Sequence, residues 1–141
     1  MTTGFRHYTS FRVRFAEIDG QLVVFNSRYL EYADNVLTEF MRAIDVPVSG
    51  PHAFEMQVVQ ATVHYKRGLR FDDEVEGWLR VERVGRSSAI FEIEFRLKGS
   101  EECCASVTLA YVHVDLATEK SQEIPAAVRS RMLGERDCGS G

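Results

Sequence analysis

The sequence predicts an α+β fold in which an antiparallel sheet packs against one long helix. Three segments in the middle and towards the end of the chain alternate apolar and polar residues, as strands with one buried face do. One earlier segment repeats its apolar residues at three- and four-residue intervals, which is typical of an amphipathic helix. The strands and helices do not alternate along the chain, and this order argues against a doubly wound parallel sheet.

Five strands are expected, and three of them alternate clearly. The first two expected strands are Tyr8–Phe15 and Phe54–Tyr65, and the clear ones are 75–81, 91–98 and 105–113. Short turn-forming links join the last three, so these should be sequential antiparallel neighbours.

The long helix is expected over residues 27–45. Asn26 or Ser27 can cap its first amides through a side-chain oxygen, and Pro47 should end it because proline disfavours a helical residue before it. Its apolar stripe consists of Leu30, Ala33, Val36, Leu37, Phe40, Met41 and Ile44. At about 1.5 Å per residue, such a helix is long enough to cross one small sheet.

The chain length of 141 residues suits one domain. We expect that domain over residues 1–133, with a short helix at Pro125–Leu133 closing it. The remaining residues, 134–141, are rich in glycine and charge and are expected to form a flexible tail.

Composition narrows the classes of function. With 17 basic and 21 acidic residues, the net charge of −4 argues against a protein that mainly grips nucleic acid. No apolar run reaches the roughly 18–20 residues of a membrane helix, and residues 1–10 lack the apolar core of a signal peptide. Cys103, Cys104 and Cys138 fit neither a disulfide framework nor a zinc site. We therefore expect a cytoplasmic protein with no metal and no cofactor.

Chemistry is most plausible between the first strand and the long helix. Asp19 precedes a loop that runs into the helix N-terminus, where unpaired amides carry partial positive charge. A carboxylate close to a thioester or ester carbonyl whose oxygen faces those amides makes a workable hydrolytic site. The alternative is that Asp19 caps a turn beside Gly20. Glu17 would share a side with Asp19 if the strand continued, but a surface or structural role is favoured for it.

The stretch from Phe15 to Tyr32 resembles the N-terminal motif of the hotdog-fold acyl-CoA thioesterases, the 4-hydroxybenzoyl-CoA thioesterase family. In that motif an aromatic strand end leads into an Asp, and a Tyr-Leu-x-Tyr helix start follows about ten residues later. Asp19 and Tyr29-Leu30-Glu31-Tyr32 keep the spacing here. The resemblance continues through 64–75 and 114–125, and it covers about residues 8–133.

The resemblance implies a five-stranded antiparallel sheet wrapped around the helix, in a homodimer or homotetramer with sites at the subunit interface. Asp19 would be the catalytic carboxylate, as nucleophile or as general base on water. The backbone amide of Asn26 would polarise the carbonyl of an acyl-CoA or acyl-carrier-protein thioester. Phe25 and Tyr29, on either side of Asn26, are predicted to contact the substrate.

Coenzyme A carries phosphates, so an acidic protein that binds it needs local positive charge. Lys66, Arg67 and Arg70 cluster at the end of a strand and are predicted to bind those phosphates, although a solvated strand end would look the same.

Three departures from the family pattern leave a second function open. Gly20 replaces a frequent proline, Leu22 a frequent glycine, and Asn26 a frequent histidine or tyrosine. The alternative is therefore a non-catalytic hotdog protein that binds acyl-CoA or a partner. A hotdog dehydratase is less favoured because its motifs are missing.

Overall fold

The structure, a computed structural model, describes residues 4–134 as one antiparallel sheet packed on a long helix. The helices are α1 (Arg28–Ala43) and α2 (Ala126–Leu133). A short 3₁₀ turn covers Phe15–Glu17. The strands are β1 (His7–Arg12), β2 (Met56–Tyr65), β3 (Glu74–Val84), β4 (Ser88–Leu97), β5 (Cys103–Asp115) and β6 (Lys120–Ser121). The predicted α+β class with five main strands is confirmed, and the two-residue β6 is an addition to it.

The five main strands lie in the order β1-β3-β4-β5-β2, and every pair is antiparallel. Strands β3, β4 and β5 are sequential neighbours, as their short links predict. Among the described strands, β2 pairs only with β5 and so forms one edge of the sheet. Within the described part of the chain, no helix is long and apolar enough to span a membrane.

Helix α1 packs closely on the centre of the sheet. Its buried side includes Ala33, Val36 and Phe40. A Cβ at position 77 of β3 would lie 2.5 Å from Val36 Cγ2, closer than real Cβ contacts, so this approach requires Gly77. The helix is thereby held against β3 and β4, and its N-terminus is fixed at one end of the sheet.

Among the boundaries that differ from the sequence prediction, three are the following. Strand β1 ends at Arg12 and not at residue 15, because the chain turns there. Helix α1 ends at Ala43 because Asp45 adopts a left-handed conformation (φ 64°) and Val46 N donates to Met41 O at 2.9 Å. Pro125 is the N-cap of α2, which begins one residue later.

Cys103 and Cys104 are free thiols. Cys138 and most of the predicted tail, at 135–141, lie outside the described residues. The division into a domain and a flexible tail therefore stays a prediction.

Candidate active site

Residues 17–25 form a small hairpin between the 3₁₀ turn and α1. Phe25 N donates to Glu17 O at 2.9 Å, Ile18 bridges Val24, and Asp19 N donates to Val23 O at 2.8 Å. Asp19 therefore lies where the hairpin turns, and the returning arm leads directly into the first turn of α1.

The Asp19 carboxylate is half-buried and only partly engaged. Its Oδ1 accepts from Gln21 N at 2.8 Å, a turn-capping bond of the kind that aspartate often makes beside glycine. Among residues 4–134 no hydrogen bond reaches its second oxygen. The turn-capping alternative thus describes one oxygen of Asp19, and the other is available for chemistry.

Leu22 closes the same turn in a conformation that usually belongs to glycine. Its φ is 66°, in the left-handed region, and its N donates to Asp19 O at 3.0 Å. A leucine at this position therefore keeps the backbone shape that a glycine would give, and it adds an exposed apolar side chain beside Asp19.

The start of α1 presents free amides. The first turn is tightened by bonds from Arg28 N to Phe25 O at 2.9 Å and from Tyr29 N to Asn26 O at 3.4 Å. The expected side-chain cap is wrong, since Ser27 is the N-cap but makes no such bond. In the described range, neither the Asn26 amide nor the Ser27 amide has an acceptor. Both donors, at the positive end of the helix dipole, can receive an oxygen that gains negative charge.

Asn26 directly follows the hairpin that carries Asp19. Asp19 pairs with Val23, and three residues of chain from Val23 to Asn26 span at most about 10 Å. A cavity of about 430 Å³ borders the hairpin at Glu17 and α1 at Tyr32, and Asp19 is not among its lining residues.

The five predicted substrate-binding residues fall into two groups, of which the first flanks the helix start. Phe25 is 49% exposed. Tyr29 is buried, and its hydroxyl oxygen accepts from Leu69 N at 3.2 Å, so Tyr29 packs inside the subunit. Burial raises the pKa of Tyr29 above its ordinary value, which keeps its hydroxyl neutral.

The second group consists of the three predicted phosphate ligands, all exposed. Lys66 and Arg67 follow β2, and the amides of both donate to Cys104 O at 2.9 Å. The guanidinium of Arg67 is already paired with Glu102 at 2.8 Å. Arg70 bridges Val23, and this pairing brings it to the hairpin that carries Asp19.

Glu17 is a structural carboxylate, one of the two roles that the sequence favoured. The premise that Glu17 and Asp19 continue a strand is wrong, because the 3₁₀ turn at Phe15–Glu17 redirects the chain and leaves Glu17 only 5% exposed. Its Oε1 accepts from Arg14 N at 2.8 Å and from the Tyr32 hydroxyl at 2.9 Å, and its Oε2 accepts from Arg14 Nη2 at 2.9 Å. Burial alone would raise the pKa of Glu17, but these bonds outweigh it and hold the pKa below its usual value.

Tyr65 is a site residue that sequence reasoning missed. Its hydroxyl donates to Asn26 O at 3.2 Å, and its ring contacts that of Tyr29 at 5.3 Å between centroids. A tyrosine ending a strand carries no signal of such a contact, which depends on how β2 and α1 meet. In the part of the chain that is described, no three histidine, cysteine, aspartate or glutamate side chains are grouped to hold a metal ion.

The chain is similar in sequence to known proteins. The sequence model of the thioesterase-like superfamily matches residues 13–132. A protein of Aquifex aeolicus named "Putative esterase" is 34% identical over 82 residues, which cover 57% of this chain. The match spans 64% of that relative's own length.

Solved structures share the fold at lower sequence identity. The chain is similar to the PA5185 protein of Pseudomonas aeruginosa, with a TM-score of 0.86 and 22% identity over 97% of this chain and 96% of that one. It is also similar to Slr0204 of Synechocystis, a 1,4-dihydroxy-2-naphthoyl-CoA thioesterase, with a TM-score of 0.81 and 15% identity over 89% and 93% of the two chains.

Proposed function

Because this chain belongs to the thioesterase-like superfamily and has the hotdog fold, we propose that it hydrolyses an acyl thioester of coenzyme A or of an acyl carrier protein. The observation that carries the proposal is that a partly free carboxylate, Asp19, lies in the hairpin that leads directly to the acceptor-free amides of Asn26 and Ser27.

In the proposed reaction, Asp19 acts as general base on water or as nucleophile. As base, it takes a proton from water while the water oxygen bonds to the carbonyl carbon. The carbon–sulfur bond then breaks, and the thiolate receives a proton. As nucleophile, it first forms an anhydride with the acyl group while the carbon–sulfur bond breaks and the leaving thiolate takes up a proton, and water cleaves that anhydride in a second step. Both routes give one free acid and one thiol.

The Asn26 amide donates to the carbonyl oxygen as that oxygen becomes negative. One donor of this kind is worth about 2.7–4 kcal/mol of transition-state stabilisation. Tyr65 supports the arrangement, because its hydroxyl bond to Asn26 O holds the peptide that directly follows the Asn26 donor and carries the Ser27 amide.

The test is thiol release from short, long and aromatic acyl-CoAs, followed with DTNB. We expect Asp19→Asn to lower kcat/KM by about 1,000-fold or more, since the amide loses the base and weakens the nucleophile. Asp115→Asn is the matched control, because Asp115 Oδ1 accepts from Ala117 N at 2.9 Å in the same kind of turn. Wild-type rates in Asp19→Asn would contradict the mechanism. Saturable binding of acyl-CoA without thiol release would instead establish the non-catalytic alternative.

Lys66, Arg67 and Arg70 are proposed to bind the phosphates of coenzyme A. Lys66 and Arg70 are the stronger candidates, because Glu102 already pairs with Arg67. We expect Arg70→Gln to raise KM several-fold for an acyl-CoA and to leave KM unchanged for the matching acyl-pantetheine, which lacks the nucleotide. Equal effects on both substrates would contradict phosphate binding.

We also propose that two copies pair along β2. The exposed apolar residues Val58 and Tyr65 lie opposite Tyr111 and Ala105 of β5, so they point to the face that α1 covers elsewhere. Val58 is 54% exposed and Tyr65 55% exposed, although the ring of Tyr65 contacts that of Tyr29 in α1. A second copy would cover both and would supply further walls for a site that begins at Asn26.

Light scattering after gel filtration tests the homodimer. We expect Val58→Lys to give monomers and to lose activity, whereas Val48→Lys, the same change in the loop after α1, should give dimers with normal activity. A larger symmetric assembly, such as a tetramer, would keep this contact.

The free thiols of Cys103 and Cys104 suit the reducing cytoplasm, where we expect the enzyme to act.

A further inference from the structure

The buried Glu17 carboxylate joins three parts of the chain around the candidate site. It accepts from the backbone and guanidinium of Arg14, at the start of the 3₁₀ turn, and from the Tyr32 hydroxyl in α1. A further bond from Arg14 Nε reaches its Oε2 at 3.1 Å. Among the described residues, each bond to this carboxylate therefore comes from Arg14, just before the hairpin, or from the helix on which the hairpin rests.

The backbone of Glu17 is equally involved. Its carbonyl oxygen accepts from Phe25 N, the residue before Asn26, and its own arm of the hairpin leads in two residues to Asp19. A rotation of Glu17 would therefore move the carboxylate at position 19 and the free amide at position 26 together, or change the distance between them.

Tyr32 is a firm anchor for this carboxylate. Its ring is buried and packs on Phe11 with centroids 4.5 Å apart, and on Tyr29 and Phe95 at 6.0 Å each. The core therefore fixes the position of the Tyr32 hydroxyl, and the hydrogen bond from this hydroxyl to Glu17 holds the hairpin in place relative to α1.

We infer that Glu17, held by Tyr32, is a positioning residue that sets the hairpin bearing Asp19 against the start of α1. It takes no part in the chemistry, because it is buried and both of its oxygens are occupied. The inference rests on the proposed function for its effect on rate, but its effect on the hairpin can be measured without any substrate.

Tyr32→Phe tests the inference because it removes the hydroxyl and keeps the ring. We expect kcat to fall by about 10- to 100-fold with KM within about twofold, since a small displacement of reacting groups has effects of that size. Tyr8→Phe is the control, because Tyr8 stacks on Trp78 on the other face of the sheet. The control should keep wild-type kcat.

Hydrogen exchange of the amides of residues 18–25 provides the second readout. We expect exchange at Asp19 and Phe25 to be about tenfold faster in Tyr32→Phe than in Tyr8→Phe. Glu17→Gln should give the same pattern and replaces Tyr32→Phe if that variant fails to fold. Unchanged exchange, or a kcat within twofold of the control, would overturn the inference. Absence of hydrolysis in the wild type would overturn the proposed function alone, because faster exchange would still support the positioning of the hairpin.

Discussion

Glu17 and Asp19 lie in one hairpin with a single residue between them, but their carboxylates have opposite surroundings. Glu17 is buried and accepts from Arg14 and Tyr32. Asp19 is half-buried and, from the residues that the structure describes, accepts one hydrogen bond, from Gln21 N. The difference teaches that a carboxylate fully used by the fold lies beside one that is left free. Loss of Glu17 should therefore affect both stability and the shape of the hairpin, whereas loss of Asp19 should affect the chemistry with little effect on stability.

The largest effect should follow from Glu17→Ala. We expect the free energy of unfolding to fall by about 3 kcal/mol, because donors of Arg14 and Tyr32 lose a charged acceptor. Asp19→Ala and its control Asp115→Ala should each cost less than about 1 kcal/mol, since each loses one turn bond. Urea unfolding at fixed protein concentration measures all three. A loss of unfolding free energy in Asp19→Ala as large as in Glu17→Ala would contradict the contrast between the two carboxylates.

The pH dependence of the unfolding free energy, compared between the wild type and Glu17→Gln, isolates the effect of the Glu17 charge. Because the folded pKa of Glu17 lies below its unfolded value, its ionised form stabilises the protein at higher pH. That contribution is present above the unfolded pKa of about 4.3 and is lost as pH falls through the lower folded pKa. We expect the wild type to exceed Glu17→Gln by about 2 kcal/mol at pH 7, with the gap narrowing below about pH 4.5. A difference in unfolding free energy that stays constant down to pH 3 would contradict this stabilising role of the Glu17 charge.

Tyr29→Phe tests whether Tyr29, a predicted substrate contact, serves the stability of the fold or the binding of substrate. The substitution removes the acceptor for Leu69 N, which is buried, so we expect a loss of about 1–2 kcal/mol in unfolding free energy. If Tyr29 serves only the fold, KM should stay within twofold in the DTNB assay. A large rise in KM with unchanged stability would instead assign it to the substrate.

The smallest expected effect is at the tip of the hairpin. Leu22→Gly should raise the unfolding free energy by about 0.5–1 kcal/mol, because glycine accepts φ 66° without the strain of a side chain. Gln21→Gly, at a neighbouring position without positive φ, should lower it. A loss of stability in Leu22→Gly would mean that the leucine side chain packs in a way that outweighs the strain.

The periodic elements could be predicted from the sequence because each one repeats a simple rule. The alternation in β3, β4 and β5 and the stripe on α1 both follow from burying one face. The ends were less predictable. Asp45 stops α1 through its own left-handed conformation, before the proline that was expected to end it.

The candidate site was predictable only where it lies in one short segment. Asp19 and Asn26 belong to a motif that can be recognised along the chain, but their roles remain predictions. The links from Glu17 to Tyr32 and from Tyr65 to Asn26 join residues 15 and 39 positions apart, and they depend on the packing of strands and helix. No local pattern encodes such contacts.

The edge strand β2 contains a bulge, and this irregularity bears on aggregation. Pairing with β5 shifts between Val58 and Gln60, so Val59 has no partner and is 64% exposed. A flat apolar edge can recruit one extended chain after another and grow into fibrils. A bulge bends and twists its strand, which leaves Gln60–Tyr65 as the longer regular stretch. We therefore expect this edge to resist stacking into fibrils even at the high concentrations of a crowded cell.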